Sequence, residues 1–408
     1  MTHPSKTRKT KTTDNMHGIN ISDPYRWLEK TDNPKVKKWV DQQNKHTHLT
    51  LSRIKQRNKI KKRLKKIFKV DSFSVPVSRD NYIFFTKRKK TDNLDILYVQ
   101  KGLHGVPKIL IDSNDLSKDK TVILRSWQPS NDGKLITYSL SGSANDQSSV
   151  HVLDVERNTK LSDIIPAEVY PALYSPIEWS CDNKGFWYTR IDPMSPKNEM
   201  KFNQKIFYHQ LGNDFKNDEM VFGKTIAKED IPSLQTSHDG RYLLVSVHKF
   251  STTKEKTELY LYDTTNKDKG FVTIVKNKEA MFFGILHRGI IYILTNHNAP
   301  LWKIMAVDIS KNNFKINDWD TTIPETEYKI ENFEISGSKL FVETLENGHS
   351  ALKYYSLGGN FIKKISLPVI GSITAINTEK EGGNLFFGFS SLDPLHNTIN
   401  WDHPKKAK

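Results

Sequence analysis

The sequence runs to 408 residues, 36% hydrophobic and 11% aromatic, enough for a large core, and no apolar run approaches the roughly 18 residues of a membrane-spanning helix. Its one cysteine, Cys181, excludes an internal disulfide framework and a cysteine-built zinc site, and fits a reducing, cytoplasmic compartment. The net charge of +16 is local: residues 53–69 hold ten Lys/Arg and no acid, both ends are basic, and residues 71–402 sum to near −2, which argues against a nucleic-acid surface spread over the whole molecule.

Residues 1–16, opening "MTHPSKTRKTKTT", read as a basic disordered tail without the apolar stretch of a signal peptide. Residues 17–70 read as a helical segment. Asp23-Pro24 marks a turn, and Asn33-Pro34 places a capping side chain before Pro at the first helical position. Val36, Trp39, Val40 and Gln43 then follow helical spacing, with Trp39 on the buried side. Ile60, Leu64, Ile67 and Phe68 form a second stripe opposite a Lys/Arg face. Such a helix either packs its stripe on another domain and leaves its lysines in water, or lies on an anionic membrane or RNA. His46 and His48, two residues apart, fall on different sides of a helix and have no third partner, so no metal site is expected.

From residue 71 the pattern changes to strands. "NDGKLITYSL" (131–140) is a Gly turn running into a strand, and the same pattern recurs at "RDNYIFFTKR" (79–88), "DNKGFWYTRI" (182–191), "HDGRYLLVSV" (238–247), "HRGIIYILTN" (287–296), "SGSKLFVETL" (336–345) and "EGGNLFFGFS" (381–390). The starts lie 45–56 residues apart, and each is followed by a second strand signal, from "LDILYVQ" in the first to "TINWD" in the last. A repeat near 50 residues, rich in strands and aromatics, is what a four-stranded propeller blade needs, because one such sheet buries its faces only against neighbouring copies. The expected fold is all-β: a seven-bladed β-propeller over 71–402, preceded by the short helical segment, with 403–408 as a basic tail.

"HGINISDPYRWLEKTDNPKVKKWVDQQN" (17–44) resembles the N-terminal signature of the prolyl oligopeptidase family of serine peptidases. The resemblance continues in order to about residue 402, through "IEWSCDNKGFWYTRIDP", "QKIFYHQLG" and "NLFFGFSSLDPLHNTINWD". It implies a seven-bladed propeller that covers an α/β-hydrolase domain carrying Ser, Asp and His. No G-x-S-x-G nucleophile elbow occurs in these residues; the nearest approach, Gly348-His349-Ser350-Ala351-Leu352, reads as an ordinary turn between two strands. Phosphate-loop and H-E-x-x-H motifs are also missing from the sequence. The expectation is therefore no α/β-hydrolase domain, no catalytic residue, no cofactor and no metal in this chain, which should not hydrolyse peptides by itself.

The resemblance further implies a gating, substrate-selecting role for short peptides, closer to the proline-specific branch, exercised through a catalytic half that a truncated or split gene would encode separately. Tyr174, in "LYSPIEWSCDNKG", matches a family aromatic that faces the substrate pocket. Trp27, Trp39 and Leu64 are candidates for contact with the hydrolase, on which the family's N-terminal segment packs. Two alternatives stay open: a propeller scaffold for protein partners, and the basic helix as a membrane or RNA anchor.

Overall fold

The computed structural model describes residues 4, 6–142, 147–196, 199, 202–237, 239–379 and 385–392. The chain divides into two compact units, Met1–Val70 and Asp71–Lys408.

In the first unit, Thr13–Met16 pairs antiparallel with Ile19–Ser22. The stretch expected as a tail to residue 16 thus ends in a strand. The reason is local: His17 and Gly18 both take positive φ, 52° and 82°, which lets two residues close a hairpin. Arg26 pairs with Asp14 and Asp23 and ties the hairpin to the following turn. Helix α1 (Pro34–Ser52) begins as its sequence dictates, with Asn33 Oδ1 accepting from the Lys35 amide at 2.9 Å and Pro34 in the first turn. Val36 is buried and Trp39 partly so, whereas Val40 is exposed. Helix α2 (Arg57–Phe68) buries none of its residues.

The second unit is an all-β propeller. Its first sheet joins Tyr82–Arg88, Ile96–Lys101 and Lys108–Asp112 to an interrupted first strand, Ser72–Phe73 and Val77–Arg79, both halves of which pair with Tyr82–Arg88. Pro76, which has no N–H to give the ladder, lies at the break. Five four-stranded meanders follow, with first strands Val122–Pro129, Glu178–Trp179, Ile231–Thr236, Phe282–His287 and Lys329–Ser336. Each interface between successive blades, from the first to the sixth, holds its own apolar cluster, such as Trp179, Phe186 and Tyr188 against Val150, Val152 and Ile165.

Among the described residues six complete blades are present where the repeats predict seven. The seventh repeat forms a two-stranded sheet, Ser372–Thr378 with Leu385–Ser390. The third strand expected for it at 398–402 lies outside the described residues, as does the tail 403–408. The two-stranded sheet nonetheless bridges the series: Thr378 Oγ1 donates to the Ile335 carbonyl at 2.9 Å on one side, and Asn377 Nδ2 to the Pro76 carbonyl at 3.0 Å on the other. The last sheet thereby meets the first.

Candidate functional site

First strands of neighbouring blades adjoin at four places, Glu178–Trp179 beside Ile231–Thr236, Phe282–His287 beside Lys329–Ser336, Lys329–Ser336 beside Ser372–Thr378, and Ser372–Thr378 beside Val77–Arg79, which puts these strands on the inner side of the ring. Their side chains alternate as strand geometry requires. Ile177 and Trp179, Leu234 and Thr236, Phe333 and Ile335 are buried against neighbouring blades. Between each pair sits a partly exposed polar residue: Glu178, Gln235 and Glu334. Ladder register puts these three, with Gln128 and Ile285, on one tier, opposite Trp187, Leu244, Phe341, Thr137 and Tyr292 on their second strands. The same register adds Val77, opposite Phe84, and Ile376, opposite Phe387, so the tier is a girdle of four polar and three apolar residues.

The girdle's charges differ in their support. Glu178 Oε2 accepts from the Thr236 hydroxyl at 2.7 Å, a bond between the third and fourth blades. Arg79, on the first blade, loses some of its basicity to burial, while the negative charge of Glu178 restores part of it. Burial pushes the Glu334 carboxyl up to about 7, against a weaker opposing bond from the Ile335 amide.

The residues singled out in the sequence lie in both units. Tyr174 is 47% exposed, on the loop before Glu178–Trp179. That loop is anchored by the neighbouring Ser175, whose Oγ accepts from the Leu234 amide of the next blade at 3.1 Å. Trp27 and Trp39 converge on the same N-terminal stretch: their indole N–H groups donate to the Arg8 carbonyl at 2.8 Å and to Thr7 Oγ1 at 3.0 Å. Leu64 is 46% exposed on α2.

Ser350, in the segment nearest to a nucleophile elbow, lies in the strand His349–Ser356 after a two-residue turn at Asn347 and Gly348, both of positive φ. Its hydroxyl donates to Glu343 at 2.7 Å and accepts from the Ile373 amide at 3.0 Å, a structural role. Ser149 Oγ and His151 Nε2 are 2.8 Å apart, but they share one strand, and the imidazole stacks on Tyr138. Burial, aided by Lys160, lowers the His151 pKa. Among the described residues no cluster of His, Cys, Asp and Glu could hold a metal ion.

One polar constellation was invisible in the sequence. His209, fully buried, meets Asp218 through Nδ1 at 2.9 Å and Asp163 through Nε2 at 3.2 Å. Tyr188 donates to Asp218 at 2.7 Å, and the Gly212 amide donates to Asp163. Asp163 belongs to the outer strand of the second blade and His209 to the third, 46 positions apart, so no short motif announces the clasp.

Residues 4–395 match the family described as prolyl oligopeptidase, N-terminal beta-propeller domain. The prolyl endopeptidase of Elizabethkingia meningoseptica is 28% identical over 392 residues, covering 95% of this chain and 54% of that protein. That of Dictyostelium discoideum is 24% identical over 435 residues, covering 92% and 57%. A solved prolyl endopeptidase structure, from work on interdomain dynamics in two such enzymes, superposes with a TM-score of 0.86 at 28% identity over 95% of this chain and 56% of that one. Prolyl oligopeptidase B of Galerina marginata, bound to a 35mer hydrolysis and macrocyclization substrate, shares the fold with a TM-score of 0.81 at 22% identity. The chain spans about half the length of the curated relatives it matches. It belongs to the prolyl oligopeptidase family and carries the N-terminal β-propeller portion of that architecture.

Proposed function

We propose that this chain supplies the gating and substrate-selecting part of a serine endopeptidase acting on short peptides. The observation that supports this most is the bridged ring of sheets around a part-polar girdle, in a chain whose likeness to a prolyl endopeptidase structure extends over 95% of its length. A narrow channel sorts by size: it passes unfolded peptide and rejects folded protein, and closure over a reacting centre excludes water. The reacting Ser, Asp and His belong to an α/β-hydrolase part, whether on a longer chain or separately encoded. In this reading the two-stranded sheet is the inner half of a seventh blade, Tyr174 faces peptide, Trp27, Trp39 and Leu64 sit at the junction with the hydrolase part, and the protein works in the cytoplasm.

The test combines the 408-residue chain with a hydrolase fragment from a relative and assays short proline-containing peptides. Cleavage by the mixture that exceeds cleavage by the fragment, and that stops when a folded protein replaces the peptide, supports the reading. Unchanged activity on addition of the chain refutes it. The α2 helix favours a second reading, a surface anchor: seven of its residues are Lys or Arg, and Ile60, Leu64, Ile67 and Phe68 are 46–71% exposed. Salt-sensitive binding to anionic vesicles or RNA, lost on deleting 53–69, would support that reading instead.

A further inference from the structure

A cavity of about 350 Å3 lies where the connection from the second blade to the third meets two loops of the third. Glu168 and Val169 line it from the connection, Arg190, Asp192 and Ser195 from around the end of the strand Gly185–Ile191, and Phe215 and Lys216 from the turn before Glu219–Phe222. The volume is at the small end of the range for ligand pockets, about 300–1,000 Å3.

Arg190 is only 3% exposed. Its guanidinium lies over the Phe207 ring, 4.0 Å from the centroid, and Nη1 donates to the Phe215 carbonyl at 3.0 Å. Nε, also buried, has no hydrogen-bond partner, and neither has Ser195 Oγ on the same cavity. The bond through Nη1 leaves the edge formed by Nε and Nη2, which is the edge a carboxylate takes with two parallel bonds. Arg190 also acts on Tyr188, whose hydroxyl donates to Asp218 at 2.7 Å. Asp218 in turn is held by His209 at 2.9 Å. The residues of the loop 192–203 outside the described set, Lys197, Asn198, Met200 and Lys201, include no acid.

A buried donor without an acceptor is costly, and a carboxylate entering the cavity relieves that cost. The rest of the lining narrows the class of ligand. Val169 and Phe215 offer apolar surface, and Lys216 adds an exposed positive charge. Glu168 and Asp192 are acids, which disfavour a multiply charged phosphate. We propose that this cavity binds a single carboxylate carried on a small apolar body, with Arg190 as the fork that holds it. The carboxyl end of a short peptide and a free aliphatic acid both present that chemistry.

The probes are N-acetyl-leucine and N-acetyl-leucinamide, which share a body and differ in the carboxylate, titrated calorimetrically into the 408-residue chain at pH 7.5. The acid is fully ionised there. The expected result is at least tenfold tighter binding of the acid than of the amide, and loss of the preference in Arg190→Met, which keeps a long side chain over Phe207. N-acetyl-leucyl-leucine and 4-methylpentanoate then separate the two sources: tighter binding of the first assigns the site to peptide ends, of the second to free acids. Equal binding of acid and amide, no binding of either, or inorganic phosphate binding as tightly as N-acetyl-leucine overturns the proposal. So does a preference that persists in Arg190→Met. Should Arg190→Met not fold, Ser195→Phe decides, because it fills the cavity from a surface loop: loss of binding supports the site, and unchanged affinity refutes it.

Discussion

His209 shows how much one buried ring can carry. Burial works against its charged form, but the hydrogen bond and charge of Asp218, and then those of Asp163, outweigh burial and raise its pKa above the ordinary value. A raised folded-state pKa gives stability that is fully present below the unfolded value, about 6.5, and is lost as pH rises through the folded value. The clasp between the second and third blades therefore tightens in acid and loosens in base. Asp163→Asn keeps the side-chain size, removes the charge and weakens the acceptor for the Gly212 amide. Its expected cost is about 2 kcal/mol at pH 6, the scale of a hydrogen bond to a charged group. Urea unfolding should show the gap between native and variant narrowing as pH rises to 9. A gap that stays constant from pH 6 to 9 would mean that His209 is neutral in the clasp.

The turn between the first and second strands is the element that made the repeat readable. In the second, third and fourth blades a Ser hydroxyl donates to an Asp two positions on: Ser130 to Asp132, Ser180 to Asp182 and Ser237 to Asp239. Each Asp then accepts from the amide of residue 134, 184 or 241 at 3.1 Å, and the position between is left-handed, at Gly133, Asn183 and Gly240. These turns also stack on each other across the ring. Asn131 Nδ2 donates to the Ser180 carbonyl at 2.9 Å, and a Cβ at Gly240 would lie 2.6 Å from Cys181 Cα. Gly289, in the matching turn of the fifth blade, has the same left-handed backbone with nothing within 4 Å of its Cβ position. Both Gly→Ala variants incur the left-handed penalty of about 1–2 kcal/mol, and only Gly240→Ala adds a backbone clash. Thermal unfolding should place Gly240→Ala clearly below Gly289→Ala; equal melting temperatures would show that the turns of the third and fourth blades do not press on one another.

The same element explains what the sequence could and could not disclose. All seven recurring stretches fall on the second strand of a sheet, and six of the paired stretches fall on the third. In the six complete blades those strands are flanked on both edges, so they read as dense apolar runs, like "GFWYTRI" in the third blade, where every residue is buried. First and fourth strands are edges with weaker patterns: the third blade opens with only Glu178–Trp179, and the sixth ends on the exposed Phe361–Ile365. The girdle was illegible for a related reason. Its members lie about one per blade on the weakest strands, and only ring closure brings Gln128, Glu178, Gln235 and Glu334 to one tier.

At the scale of the whole chain, the two units differ in how much apolar surface they bury. Of the first unit's hydrophobic residues Val36 is buried, while Leu49, Leu51, Ile54, Ile60, Leu64, Ile67 and Phe68 are each at least 40% exposed. The ring, by contrast, has an apolar cluster in every interface from the first blade to the sixth. Local opening free energies follow buried contacts, so α1 and α2 should open far more readily than the ring's second and third strands. Hydrogen exchange on the 408-residue chain should therefore show residues 36–68 exchanging long before the strands Tyr188 and Leu244 belong to. Brief trypsin treatment should cut first within 53–69, where ten Lys/Arg offer sites, and leave a resistant fragment beginning near residue 70. Adding the hydrolase fragment should slow both, because a helix whose stripe is covered no longer opens to protease. Protection of 36–68 equal to that of the ring in the chain by itself would show that the stripe needs no cover, and α2 would lose its place at the junction.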